Sequence, residues 1–221
     1  MSGFREKIRM TLPFTTDIYE FAIAKKSMIP SRKKFRALTH NRAPICLDLG
    51  GADPGKGHWT SVDMTLQCDI YWDLRLPIPL PSNSVSKIYS SHLFEHLTYS
   101  EGQSLLKESL RLLKPGGTFS ICVPNARIYI EHYLGIEPVP EDYFGWRPAF
   151  NNTTPIDAIN YVAYMDGEHK YMFDQENLLH ILTHSGFNEV ASRPFDAETD
   201  RSERDYESLY AIGMKPFEDK S

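Results

Sequence analysis

The chain has 221 residues, 41% hydrophobic and 24% charged, which suits one α/β domain carrying an insertion and excludes a disordered polymer. No apolar run approaches the roughly 18–20 residues of a membrane span, and the charged start MSGFREKIRM lacks an apolar signal core, so a cytoplasmic protein is expected. The net charge of −5 is uneven, with +7 in residues 1–42 and −12 in the rest, which argues against a polynucleotide track and leaves only a weak membrane-surface contact through residues 1–42.

In chain order, residues 1–43 form a helical N-terminal segment. Helices are expected over 16–28 and 31–39, split by Pro30, which ends a helix at the preceding residue. Ile45–Leu49 is a short apolar run closing in Asp48-Leu49-Gly50-Gly51, a buried strand followed by a turn. Trp59–Asp63, Asp69–Trp72 and Val85–Ser91 read as strands two to four. Ser100–Leu113 is a helix, with Ser100 and Gln103 as a capping box and Leu106, Leu110 and Leu113 on one face. Lys114-Pro115-Gly116-Gly117 stops it and turns the chain into a fifth strand, Thr118–Val123. Residues 125–173 break the rhythm with many aromatics and prolines. Gln175–Ser185 is a helix behind Asp174 as N-cap, and strands near Phe187–Ser192 and Leu209–Met214 flank a charged loop. Cys46 and Cys122 sit in strand runs and no CxxC spacing occurs, consistent with buried thiols in a reducing compartment. The expectation is a mostly parallel seven-stranded sheet with an antiparallel edge.

In such a sheet ligands bind at the carboxyl ends of the strands, where strand order reverses. The turn after strand one, Asp48-Leu49-Gly50-Gly51-Ala52-Asp53, is small and lets a ligand approach the backbone. Asp63 ends strand two, where a carboxylate can accept hydrogen bonds from both ribose hydroxyls. Asp73-Leu74 follows strand three and Ser91-His92 ends strand four. A nicotinamide enzyme would need G-x-G-x-x-G opening a helix; here Gly50-Gly51-Ala52-Asp53-Pro54-Gly55 lacks it. Pro54, Gly55 and Gly57 crowd the short link to strand two, so Asp53–His58 should be a loop. Pyrophosphate would meet an acid and no helix N-terminus, whereas a sulfonium, an amino group and a ribose suit acidic residues.

The ordered set LDLGGAD, SVDM, WDLRLPIPLPSNSVSKIYSSHLFEHL, LLKESLRLLKPGG and ICVPN resembles the methyltransferase type 11 superfamily, class I, and within it a compact bacterial branch. The resemblance covers about residues 45–124, and His169–Phe187 extends it. It implies a Rossmann-like methyltransferase fold with the first crossover helix shortened or absent, and S-adenosyl-L-methionine as cofactor. By position, Gly50, Gly51 and Ala52 would line the methionine part and Asp63 would hold the ribose, with Asp48 and Met64 also among the cofactor-binding residues. Asp73 would meet the adenine amino group and Leu74 the ring, through its face or backbone. Ser91 and His92 would sit near the sulfonium. Ala52 stands where the family usually has glycine, and Asp48 where the branch frequently has Asn.

Methyl transfer is an in-line displacement, so the protein must mainly position the acceptor and remove its proton. His92, Glu95 and His96 are the candidate catalytic groups: a base at His92 or His96, or, alternatively, a loop held in place by Glu95 and His96. No metal is assigned, although H-x-x-E-H is also a zinc-protease pattern when carried on one helix face. One class of RNA-end methyltransferase has a similar Glu/His cluster aligning a hydroxyl with a metal. Residues 125–173 form an expected substrate lid, with Tyr129, Tyr133, Tyr143, Phe144, Trp146, Phe150, Tyr161 and Tyr164 lining a pocket or packing as plain core. Aromatic faces beside Asp, Asn and Arg suit sugars, so a small-molecule or glycan-derived acceptor, methylated on O or N, is the expected substrate. A non-catalytic cofactor-binding relative and a nucleic-acid methyltransferase are the alternatives. The second lacks support, since Ser91-His92-Leu93-Phe94 stands where an N/D-P-P-Y/F motif would follow strand four.

Overall fold

The computed structural model describes residues 29–40, 43–51, 57–65, 67–140, 143–146, 149 and 153–217. Its centre is a seven-stranded sheet: β1 (Ile45–Leu49), β2 (Trp59–Asp63), β3 (Ile70–Tyr71), β4 (Val85–Ser91), β5 (Leu113–Pro124), β6 (Asn188–Ser192) and β7 (Ser208–Met214), in the order β3-β2-β1-β4-β5-β7-β6. The first five strands are parallel, and β7 runs antiparallel to both β5 and β6, giving the antiparallel pairing at that edge. β1 is buried along its whole length, as a central strand covered on both faces must be.

A helix, α1, covers described residues 29–40. It shields the β3 edge: the fully buried Phe35 meets Trp72 edge-on at 5.5 Å, and Lys34 Nζ donates to the Asp69 carbonyl. Pro30 lies inside this helix rather than after one, and the expected helix at 16–28 lies outside the described residues. α2 (Tyr99–Leu112) packs Leu105, Leu106 and Leu112 on the sheet. Its cap is Thr98 with Glu101, not Ser100 with Gln103. The Glu101 backbone N–H donates to Thr98 Oγ1, and the Thr98 N–H donates back to the Glu101 carboxylate. The Lys114–Gly117 turn lies within β5. Gly116, at φ 76°, donates to the Lys215 carbonyl, and Lys215 donates to that of Gly117, so the turn is stitched to the segment after β7.

Two helices arise where only irregular chain was expected: α3 (Ala126–Tyr133), capped by Asn125, and α4 (Ile156–Tyr164), opening after Pro155. They pack through a second apolar cluster of Ala126, Tyr129, Val139, Phe144, Ala158, Tyr161 and Val162, separate from the sheet core. α5 (Gln175–His184) starts at Asp174, whose side chain accepts from the Asn177 N–H. No helix among the described residues is long and apolar enough to cross a membrane.

Candidate active site

From β1 the chain moves outward to β2 and β3, then returns to β4 on the other side of β1. The strand order therefore reverses between β1 and β4, and their carboxyl ends flank a crevice. The turn after β1 is bare backbone by necessity. Gly50 has φ 82° and donates to the Val62 carbonyl at 3.0 Å, and a Cβ there would lie 2.8 Å from Leu93 Cβ. A Cβ on Gly51 would lie 2.2 Å from Oδ2 of the buried Asp48.

The parallel register Leu49↔Val62 brings Asp63 to the neighbouring strand end. Its Oδ1 accepts the Thr65 N–H at 3.1 Å; burial raises its pKa, against the backbone donors of Met64 and Thr65. Met64 is exposed beside it. This pairing of a side-chain-free turn with a half-buried carboxylate one strand over fits a ligand that combines an amino-acid part and a ribose. Ala52, and positions 53–56 of the expected loop, lie outside the described residues; Gly57 and His58 form a turn.

Asp73 sits in a different setting from the one expected. Both its oxygens are held by Arg75, Nε to Oδ1 at 2.9 Å and Nη2 to Oδ2 at 2.8 Å. Burial opposes its ionisation, and the Arg75 hydrogen bonds outweigh that, leaving its pKa below the ordinary value. The Leu74 side chain is buried in the sheet core, so its backbone is the part free to meet a ligand.

Ser91 closes β4 opposite Cys122, and the next residue, His92, donates its backbone N–H to the Cys122 carbonyl at 2.9 Å. His92 has φ 49°, a left-handed conformation unusual for a side-chain-bearing residue and held here by that hydrogen bond. Phe94–His96 then make a single 3₁₀ turn. A helix face carrying both histidines is therefore absent, and with it the geometry of a zinc-protease motif. Instead both rings converge on Glu95: His92 Nδ1 lies 3.5 Å and His96 Nε2 3.8 Å from its Oε1. Glu95 is buried, and neither carboxylate oxygen has a hydrogen-bond partner. Burial pushes the Glu95 carboxyl up to about 8. Burial, followed by the nearby Arg204, pushes His92 down to about 3, away from the ordinary imidazole value that would suit a base.

A cavity of about 470 Å³ opens above this group. Its floor is His92, Glu95 and His96, and α4 and the chain around it supply Trp146, Tyr161 and His169. The expected aromatics thus divide. Tyr129, Phe144 and Tyr161 are buried in the second cluster, Trp146 reaches the cavity while half exposed, Tyr133 and Tyr164 face outward, and Phe150 lies outside the described residues.

Sequence reasoning missed the opposite wall. A 3₁₀ segment, Ser202–Glu207, delivers Glu203, Arg204, Tyr206 and Glu207 to the cavity just before β7. Tyr129 Oη donates to Glu207 Oε2 at 2.5 Å, tying this wall to α3, and the Tyr143 and Tyr206 rings lie 4.4 Å apart, tying it to the 143–146 segment. In the sequence it carried only charge. His169 had been marked by its family-like spacing alone.

Residues 58–121 match the family model described as a methyltransferase domain. No curated protein matches the chain. Among solved structures it is similar to a SAM-dependent methyltransferase from Archaeoglobus fulgidus, with 17% identity, TM-score 0.47, and 89% of this chain and 100% of that one covered. It is similar to phosphoethanolamine N-methyltransferase 2 of Haemonchus contortus solved with S-adenosyl-L-methionine, at 14% identity and TM-score 0.49, covering 85% of this chain and 52% of that one. A SAM-dependent methyltransferase from Methanosarcina mazei is similar at 13% identity and TM-score 0.48, covering 80% and 95%.

Proposed function

We propose that this chain, whose residues 58–121 match a methyltransferase domain, is a class I S-adenosylmethionine-dependent methyltransferase, and that it methylates a small-molecule or sugar-derived acceptor on O or N inside the cavity described above. The cavity itself carries this reading. About 470 Å³ is the size of a small-ligand pocket, it ends on the polar group His92–Glu95–His96, and Trp146 offers an aromatic wall.

When bound, S-adenosylmethionine supplies an electrophilic methyl group on a sulfonium. Gly50, Gly51 and Ala52 would admit its amino-acid part beside Asp48, and Asp63 with Met64 its ribose. Leu74 through its backbone, and Asp73 through whatever acceptor capacity Arg75 leaves, would meet the base. Ser91 and His92 border the reacting end, where cofactor crevice and acceptor cavity meet. Residues 125–173 act as the lid, closing the cavity with α4 and the 143–146 segment. The polar floor orients the acceptor heteroatom toward the crevice.

The test is a panel of sugar nucleotides, free sugars, amines and phenols incubated with labelled cofactor. Transfer to one of these classes, with an acceptor-bound crystal placing it against Trp146 and His92, supports the reading. Salt-sensitive binding and methylation of RNA or DNA alone would replace it.

A further inference from the structure

Three histidines surround Glu95, and the hydrogen bonds on their far sides fix which nitrogen each turns toward it. Ser208 Oγ donates its only proton to the Arg204 carbonyl at 2.5 Å, so it must accept from His92 Nε2, 2.9 Å away. His96 Nδ1 lies 3.0 Å from the Glu168 carbonyl and His169 Nδ1 2.8 Å from the Val162 carbonyl; a carbonyl only accepts, so both Nδ1 atoms carry the proton. In the neutral rings the nitrogens left over are lone pairs: Nδ1 of His92, and Nε2 of His96 and His169.

The backbone builds the cluster. Lys170 and Tyr171 both donate their N–H to the Glu95 carbonyl, at 2.7 and 3.2 Å, which brings His169 beside the Phe94–His96 turn. The His96 and His169 rings meet edge-on at 5.0 Å. One ligand atom each from Glu95, His96 and His169 lie within 4.8 Å of one another. Glu95 contributes a buried carboxylate without a donor, facing ring nitrogens that also have none to give. Buried acceptors that converge in this way need either a proton held between them or a cation among them. Carbonyls orienting the distal N–H of each imidazole are the usual support of metal-ligating histidines.

We propose that Glu95, His96 and His169 bind a divalent transition-metal ion in the cavity floor, with open positions turned toward a hydroxyl of the acceptor. Two imidazoles and one carboxylate suit Zn²⁺, Mn²⁺, Co²⁺ or Ni²⁺ better than Ca²⁺. Bonds of roughly 2.0–2.2 Å require the three atoms to draw together, which the partly exposed His96 ring permits. The ion site rests on the side-chain geometry; the hydroxyl rests on the acceptor reading above. A hydroxyl on the ion would be held in place and acidified, releasing its proton to cavity water.

The experiment titrates chelator-treated, untagged full-length protein with Co²⁺, followed by calorimetry and visible absorption. Saturable binding of one equivalent is expected, with affinity falling at least about 100-fold in Glu95→Gln and in His169→Ala. His180→Ala/His184→Ala, which removes the stacked, exposed pair on α5, should bind as wild type. S-adenosylhomocysteine affinity, measured on the same samples, should stay near wild type; it reports that each variant is folded and tests the cofactor reading separately. Absence of saturable Co²⁺ binding in the wild type, or full retention in both Glu95→Gln and His169→Ala, overturns the ion site. Co²⁺ binding that no hydroxyl-bearing acceptor perturbs overturns the hydroxyl.

Discussion

The Asp48 carboxylate occupies the space that a side chain on Gly51 would need, 2.2 Å from where its Cβ would stand. Overpacking of this kind costs about 1–3 kcal/mol. Gly51→Ala should therefore lower the unfolding free energy by that amount and weaken S-adenosylhomocysteine binding. In an Asp48→Ala background the stability cost of Gly51→Ala should shrink, because the clashing atoms are gone. Strictly additive penalties in denaturant titrations would refute the contact.

Asp63 should carry the ribose. Charge-assisted hydrogen bonds to both hydroxyls are worth about 2–3 kcal/mol together with the loss of their partner. Asp63→Ala should weaken S-adenosylhomocysteine by about 30–150-fold in calorimetry. A variant with wild-type affinity would remove Asp63 from the crevice.

The Arg193–Asp200 pair ties the 193–200 loop to the sheet. Arg193 reaches both carboxylate oxygens, Nη1 to Oδ2 at 2.5 Å and Nη2 to Oδ1 at 2.7 Å, and Tyr89 Oη donates to Oδ1 at 2.9 Å. Burial opposes Asp200 ionisation, but the Arg193 hydrogen bonds outweigh it and the folded pKa is lowered. The sign follows from linkage: stabilisation is full above the unfolded Asp value of about 3.9 and is lost as pH falls through the lower folded value. Asp200→Asn, which leaves a buried guanidinium without its charge partner, should cost about 3–5 kcal/mol at neutral pH. The gap between variant and wild type should narrow in denaturant melts as the pH drops below about 4; a gap independent of pH would contradict the pairing.

His92 is placed to orient more than to titrate, since Ser208 holds one nitrogen and Glu95 faces the other. With an acceptor in hand, His92→Ala should lower turnover about 10²-fold, the scale of a misplaced reactant, while S-adenosylhomocysteine affinity changes little. A large loss of cofactor affinity, with turnover at saturation preserved, would move His92 from the acceptor side to the cofactor side.

Much of the sheet was legible because buried strands leave short apolar runs, plain in Ile45–Leu49 and weaker in Val85–Ser91, where Val85, Ile88 and Tyr89 are buried but Lys87 is exposed. The leucine repeat likewise marked α2. Its cap was ambiguous for a physical reason: Thr98…Glu101 and Ser100…Gln103 both satisfy the capping pattern, and tertiary packing selected the first. α3 and α4 were hidden because they are short, 8 and 9 residues, and lie in a stretch whose prolines and aromatics read as irregular chain. At the candidate site, residues local in sequence were readable, among them Gly50, Gly51, Asp63 and His92. Those recruited from afar were not. His169 is brought to Glu95 by the backbone hydrogen bonds of Lys170 and Tyr171, and Arg204 and Glu207 arrive just before β7, and neither leaves a periodicity to read.

Because β7 runs against its neighbours, it meets the crevice with its first residue, Ser208, rather than its last. The two halves of the site therefore come from separate stretches of chain. The residues proposed for the cofactor all lie before His96, whereas most of the cavity wall is written between residues 145 and 207. Substitutions in the later stretch should reshape the cavity while the turn after β1 and the end of β2 stay as they are. The wall at residues 203–207 is held in place by the strand that follows it, because β7 lies between β5 and β6.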